Sequence, residues 1–361
     1  MKVLSLFGGI CLRKGIKLAF QIAAVFIGTI VGAGLASGQE IRQFFTEYGY
    51  KGFYGILLCA FIYIIIGYMI SSISLKYNLK SYNEIINLVI KPKIFANFTD
   101  GVTSLFLLSG SAIILAGSGA LIHQYFGVSK WFGIVLMAVI SIIVLLRDTK
   151  GLIEVNSIIV PSLIIVLLTI FTLYIFFDKD IVSLTQLQSM PNYKSNWFLS
   201  CLLYSGFNIL GCSGVIVPLS AEIKNKRSLL WGIIMGAVVL TVLTSIINFM
   251  LLLNVPYIFK YEIPLLYIAN RFGKLIQILL LGIIWLEMFS TEVSDVYSVG
   301  KALSQIFDIS YKKSVVLVIL IAIPISQVGF VNLISIIYPA FGVISLLFMI
   351  QCVYFYFKHC R

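Results

Sequence analysis

From about residue 17 to residue 357, long apolar runs alternate with short connectors that hold most of the charge. A bilayer core of about 30 Å needs about 20 residues of helix, and each backbone polar group inside it must be satisfied within its own segment. By that measure the chain divides into ten spans, near residues 17–46, 52–75, 98–124, 130–147, 152–177, 196–222, 228–253, 272–302, 312–329 and 331–357. The runs lack sustained period-two alternation, which argues against an outer-membrane barrel. An all-α polytopic membrane protein is expected.

The connectors test that count, because Lys and Arg accumulate on the cytoplasmic side. With the N-terminus inside, the inner segments carry Lys2, Arg13, Lys14 and Lys17, then Lys76, Lys80, Lys91 and Lys93, then Arg147 and Lys150. They continue with Lys224, Lys226 and Arg227, then Lys301, Lys312 and Lys313, and end with Lys358 and Arg361. Only Arg42, Lys51, Lys130, Lys179, Lys194, Lys260, Arg271 and Lys274 fall outside. Ten spans with both termini cytoplasmic, in the cell membrane, satisfy the alternation. The first run could be read as a secretory signal, but its length and the continuation Gln39-Glu40-Ile41-Arg42 argue against cleavage. Residues 80–95 read as an amphipathic stretch on the inner interface and residues 255–271 as an outer segment, both peripheral.

Composition narrows the class. Of 361 residues, 60% are hydrophobic and 11% charged, with a mean hydropathy of +1.05; a soluble surface cannot be built from that. The net charge of +12 is scattered over loops rather than gathered in a patch, so no nucleic-acid partner is expected. The six cysteines include no C-x-x-C pair and read as small hydrophobes. His123 and His359 have no second ligand at helical spacing. No nucleotide-binding loop or nucleophile–base constellation occurs, so neither an enzyme nor an ATP-driven pump is indicated.

Two spans carry clustered glycines. Span 1 places Gly28, Gly32, Gly34 and Gly38 in its middle, and span 6 has Gly206, Gly211, Gly214 and Pro218. Glycine costs about 1 kcal/mol relative to alanine in a helix interior, so such clusters weaken helical continuity. Close helix packing is the competing reading, since Gly28-Thr29-Ile30-Val31-Gly32 is a Gly-x-x-x-Gly. Interruptions five spans apart instead suggest paired broken helices around a central site. Five spans per half place the halves in opposite orientations: a single transmembrane domain, 1–361, with repeats near 17–177 and 196–357.

The string G-T-I-V-G-A-G-L-A-S-G-Q-E-I-R-Q-F-F at residues 28–45, followed by E-Y-G-Y-K-G-F, resembles the signature of the YkvI-type bacterial membrane proteins, a branch of the amino acid/polyamine/organocation transporter superfamily. S-G-V-I-V-P-L-S-A-E-I-K-N-K-R-S-L-L-W-G after the second cluster extends the resemblance over essentially the whole chain. It implies a LeuT-like 5+5 inverted repeat with spans 1 and 6 broken. The implied substrate site comprises Val31, Gly32, Ala33 and Gly34 together with Ser205, Gly206, Phe207 and Asn208. The implied sodium site uses the carbonyls of Gly28 and Val31 and the hydroxyls of Ser290 and Thr291. Serines of span 3, among them Ser104, Ser109, Ser111 and Ser118, would face it, and Tyr204 would gate it. A possible bound Na+ is the only cofactor implied.

Span 8 departs from that pattern by carrying Glu287, Glu292 and Asp295 within nine residues, and carboxylates at membrane depth are expensive unless given a cavity, a partner or a proton. At about 100° per residue, Glu287, Thr291, Ser294 and Ser298 fall within about 60° of one another, Asp295 sits beside them and Glu292 points away. Such a stripe suits either sodium coordination or proton carriage by Glu287 or Asp295. Glu40, beside Arg42, reads as a helix cap, a gate or a proton site. The leading reading is a secondary transporter that moves a small amino acid or related solute by alternating access, coupled to Na+ or H+. The alternative is a permease-like sensor, similar to germinant receptors, that binds a solute without moving it. Oligomeric state is not legible.

Overall fold

The computed structural model describes residues 2–91, 93–177, 190–261, 264–328 and 330–360. All regular structure among them is helical. In chain order the helices are α1 (Lys2–Ser37), α2 (Gln39–Phe44), α3 (Lys51–Tyr77), α4 (Tyr82–Val89), α5 (Lys93–Phe126), α6 (Lys130–Leu145) and α7 (Thr149–Phe177). After residue 190 come α8 (Trp197–Ile223), α9 (Lys226–Leu252), α10 (Pro264–Asn270), α11 (Lys274–Ile306), α12 (Tyr311–Ser326) and α13 (Phe330–His359). Short 3-10 turns cover Thr46–Tyr48 and Tyr257–Lys260. Lys179 lies outside the described residues.

Among the described residues, six helical segments are long and apolar enough to cross a membrane: Gly15–Gly32 of α1, and α3, α7, α8, α9 and α11. Leu108–His123, α6 and Ile344–His359 are shorter apolar helices. Side chains at the loops fix several ends. Asn196 caps α8 by accepting from the Leu199 amide at 3.2 Å, and Asn225 caps α9 by accepting from the Ser228 amide at 3.1 Å, satisfying amides that the first helical turn leaves orphaned.

Packing in a bilayer relies on small residues that admit neighbours closely, because lipid tails are as apolar as the side chains. α9 presents Gly232 and Gly236 to α1: a Cβ on the first would lie 2.5 Å from Ile22, and on the second 2.7 Å from the Phe26 ring. The helix pairs recur in a pattern. α1 on α9 is matched by α8 on α3, α5 on α6 by α11 on α12, α1 on α7 by α8 on α13, and α11 on α7 by α5 on α13. α4 and α10 are less peripheral than the sequence suggests. Tyr82, Ile85 and Ile86 of α4, and Leu265, Ile268 and Ala269 of α10, are fully buried, because each short amphipathic helix turns its apolar face into the bundle.

Candidate functional site

α1 is interrupted where the sequence predicts. Gly32 adopts φ 44°, ψ −176° inside the helix, and Gly38, φ 81°, precedes α2. Both lie in the left-handed region that glycine tolerates and a side chain resists. α8 does not repeat the behaviour. It is helical throughout Trp197–Ile223, across Gly206, Gly211, Gly214 and Pro218, so the break expected at Ser205–Gly211 is absent. At Gly206 the absence of a side chain serves packing instead, since a Cβ there would lie 2.6 Å from the Ser345 hydroxyl of α13.

Just inside the break, four oxygens from three helices converge. Ser290 and Thr291 of α11 each reach the Gly28 carbonyl at 3.4 Å. Ser290 also donates to Asn156 Oδ1 of α7 at 2.7 Å, and Thr291 to its own helix at the Glu287 carbonyl, 3.0 Å away. A Cβ on Gly28 would overlap the Asn156 carboxamide and stand 2.5 Å from the Ser290 hydroxyl. Thr29 reaches Ser294 at 3.2 Å. Thr291 lies beside Gly32, 3.3 Å from where a Cβ would be. The structure therefore brings Gly28, Gly32, Ser290 and Thr291 together, with Val31 fully buried at the break.

The acids separate onto different neighbours. Glu287 is fully buried and neither carboxyl oxygen has a hydrogen-bond partner. Glu292, which the helical angle points away from the stripe, is also fully buried: it faces α5, where one oxygen accepts from Ser111 at 2.7 Å. Asp295 lies against Gly110 of the same helix, so α5 receives both Glu292 and Asp295. Glu40 folds back onto Gly34, where a Cβ would overlap its carboxyl, and its Oε2 is buried without a partner. Glu40 caps nothing by its side chain; the α2 cap residue is Gly38.

On α8, Ser205 bonds its own helix at Leu202, 3.2 Å, and Asn208 donates to the Tyr63 hydroxyl at 3.2 Å and the Tyr204 carbonyl at 3.0 Å. These bonds lead within α8 and to α3. Phe207 and Tyr204 instead form an aromatic cluster with Phe44 of α2, at ring separations of 5.7 and 5.2 Å, and Phe45 meets Tyr204 edge-on at 5.0 Å. In α5, Ser104 bonds Tyr82 at 2.9 Å and Ser118 accepts from Trp285 at 2.8 Å; Ser109 is only half-buried.

Each end of the bundle is tied. At the end where α7 begins, Lys301 pairs with Asp148 at 2.9 Å and with Glu222 at 3.6 Å, while Thr149 bonds Glu222 at 2.5 Å and Tyr297 at 2.8 Å. That network joins α7, α8 and α11; an Arg147–Glu154 pair lies beside it. At the opposite end, Glu47 pairs with Lys194 at 2.5 Å, and Arg42 donates to the Phe259 carbonyl at 3.3 Å.

Asn156 and the Lys301 network are the site-region residues that reading the sequence missed. Asn156 left a signal, a lone carboxamide inside an apolar run. Lys301 and Glu222 are 79 positions apart and read only as loop charges.

The helical fold, with its break in the first long helix faced by hydroxyls from α11, is similar to that of solved LeuT-type structures. Among solved structures, the chain is similar to a Na+-coupled sialic acid symporter in a substrate-bound outward-open state, with a TM-score of 0.71 and 17% identity over 92% of this chain and 78% of that one. It is also similar to Mhp1, a nucleobase-cation-symport-1 family transporter, in a closed conformation with bromovinylhydantoin bound (TM-score 0.68, 14% identity, 94% and 78%). MhsT in complex with L-phenylalanine matches with a TM-score of 0.56 and 17% identity over 94% of this chain and 88% of that one. No protein-family profile matches. Among curated proteins, the uncharacterized membrane protein YkvI of Bacillus subtilis (strain 168) is 32% identical over 333 residues, 92% of this chain and 94% of that protein. The uncharacterized protein YyaD of the same organism is 24% identical over 344 residues, 95% and 97%. The chain belongs to the YkvI family of membrane proteins.

Proposed function

We propose that the chain is a secondary active transporter that moves a small amino acid or related organic solute by alternating access. The observation that carries this reading is the closure of Ser290 and Thr291 onto the Gly28 carbonyl, four residues before the α1 backbone leaves the helix at Gly32. A broken helix exposes carbonyls and amides at membrane depth, which is tolerable only where something polar receives them. The matched helix packings support a 5+5 inverted repeat of ten spans, with α1, α3, α5, α6 and α7 forming one half and α8, α9, α11, α12 and α13 the other. The loop charges support cytoplasmic termini.

Sodium is the coupling ion that the donor set favours. Gly28, Ser290, Thr291 and Asn156 contribute a carbonyl, two hydroxyls and a carboxamide oxygen, all hard and none formally charged, which suits a hard monovalent cation better than a divalent one. These residues, with the Val31 carbonyl, would hold it; the bound ion would supply a fixed positive charge between α1 and α11. The Na+-coupled symporter among the structural relatives supports the same choice. Glu287 and Asp295 remain the candidates for proton coupling. The solute site is assigned to Val31, Gly32, Ala33 and Gly34 facing Ser205, Gly206, Phe207 and Asn208 with Ser109, under a lid of Glu40 and Tyr204.

Paired measurements test the reading: equilibrium binding of labelled solutes to purified protein, and uptake of the same solutes into proteoliposomes. Binding followed by accumulation is expected. Saturable binding without accumulation would identify a sensor.

A further inference from the structure

Two free thiols meet across the seam between α3 and α8. Cys59 Sγ and Cys201 Sγ lie 3.3 Å apart, although 142 positions separate them in the chain. The contact is mutual: Cys201 donates to the Gly55 carbonyl, one turn before Cys59, at 3.1 Å, and Cys59 Sγ lies 3.8 Å from the Cys201 carbonyl. Gly55 permits the approach, since a Cβ there would lie 3.6 Å from the Cys201 Cβ and 3.3 Å from the Phe45 ring. Both cysteines are buried, and Cys59 also lines a small internal cavity with Ile56, Tyr63 and Tyr204.

The pair sits near one end of the bundle. Cys201 lies one turn into α8, whose first residue, Trp197, meets Tyr54 of α3 at 6.2 Å, and tryptophan and tyrosine gather at membrane interfaces. This is the end where Glu47 pairs with Lys194, which the proposed topology makes the outer one. Disulfides persist outside the cell, whereas cytosolic reductants keep thiols reduced.

We propose that Cys59 and Cys201 form a reversible disulfide that staples α3 to α8, with a small diffusible peroxide as the oxidant. One thiol attacks the peroxide, the O–O bond breaks, and water leaves as the sulfur becomes a sulfenic acid. The second sulfur displaces the sulfenic hydroxyl, which takes up that thiol's proton and leaves as a second water while the S–S bond forms. The two electrons lost by the thiols are gained by the peroxide. Closing from 3.3 Å to a bond length of about 2.05 Å moves each sulfur by only about 0.6 Å. The staple lies one turn before the Tyr63–Asn208 bond and the Tyr204–Phe44 contact, so oxidation fixes the aromatic end of α8. The inference rests on the proposed topology and not on transport.

The test uses the full chain in lipid nanodiscs, incubated with hydrogen peroxide, then denatured and alkylated so that intact mass counts the free thiols. Of six cysteines, two should escape alkylation, and dithiothreitol should restore them. Tm should rise by several degrees in the oxidised form, because a cross-link between distant positions constrains the unfolded chain. Cys59→Ala and Cys201→Ala should each abolish the loss, and Cys212→Ala should leave it. Should a variant fail to fold, peptide mapping of the oxidised wild type decides through the Cys59–Cys201 cross-link. Six free thiols after oxidation, a loss that survives Cys59→Ala or Cys201→Ala, a cross-link between other cysteines, or an unchanged or lower Tm overturns the proposal. A cross-linked chain that accumulates no solute would contradict transport and leave the staple standing; uptake by a chain whose thiols stay free would do the reverse.

Discussion

The Ser290 hydroxyl donates to Asn156 Oδ1 at 2.7 Å, tying α11 to α7 beside the Gly28 carbonyl of α1. Three helices, from both halves of the chain, meet there at one cluster of oxygens. A side chain on Gly28 has no room in it. Gly28→Ala should cost about 1–3 kcal/mol, the usual range for overpacking a filled interior, and should abolish stabilisation by sodium. A thermal melt in NaCl against KCl checks this; a variant with wild-type stability and an intact sodium effect would contradict it.

Ser290→Ala and Thr291→Ala remove two of the proposed ligands while leaving the helix intact, because alanine is the best helix former. Each lost hydroxyl bond should cost about 1 kcal/mol, and the double variant should melt at the same temperature in NaCl and KCl. A sodium-induced shift equal to wild type would exclude these hydroxyls as ligands.

Gly206→Ala distinguishes packing from unwinding on α8. The new Cβ would meet the Ser345 hydroxyl at 2.6 Å, so it should destabilise by about 1–2 kcal/mol, and Ser345→Gly should restore most of the loss. Unchanged stability with impaired uptake would mean that Gly206 serves a backbone transition rather than a close contact.

Lys301 is the cation that holds Asp148 and Glu222 together at the end where α7 begins, which the proposed topology makes the cytoplasmic one. Replacing it with Ala leaves two carboxylates without their counter-charge and should loosen the junction of α7, α8 and α11. In a cysteine-less background, a cysteine at Ser298, 1% exposed, should then label severalfold faster from the cytoplasmic side. Unaltered labelling would show that the pair does not close that side.

Much of the scaffold was legible because lipid imposes a uniform demand: long apolar runs, charge at their ends, glycine where helices break or touch. The break in the first span followed from its clustered glycines, and the Ser290–Thr291–Gly28 contact from the family resemblance. The glycines of α8 misled, because Gly206 looks the same in sequence whether it frees a backbone or admits Ser345; only the neighbour decides. Glu292 shows a related limit, since its direction away from the stripe was legible but its partner was not. A helical wheel gives its angle but not which helix lies there, and Ser111 of α5 does. Asn156 and Lys301 depend on contacts across 134 and 153 positions, beyond anything local patterning encodes.

The central claim, that the chain is a transporter, is tested most directly by solute accumulation in proteoliposomes under an imposed inward sodium gradient. The account predicts an internal concentration of a labelled amine or amino acid that rises above the external one and falls back to equality when an ionophore collapses the gradient. Simple equilibration that ignores the gradient, or saturable binding with no entry, would contradict it.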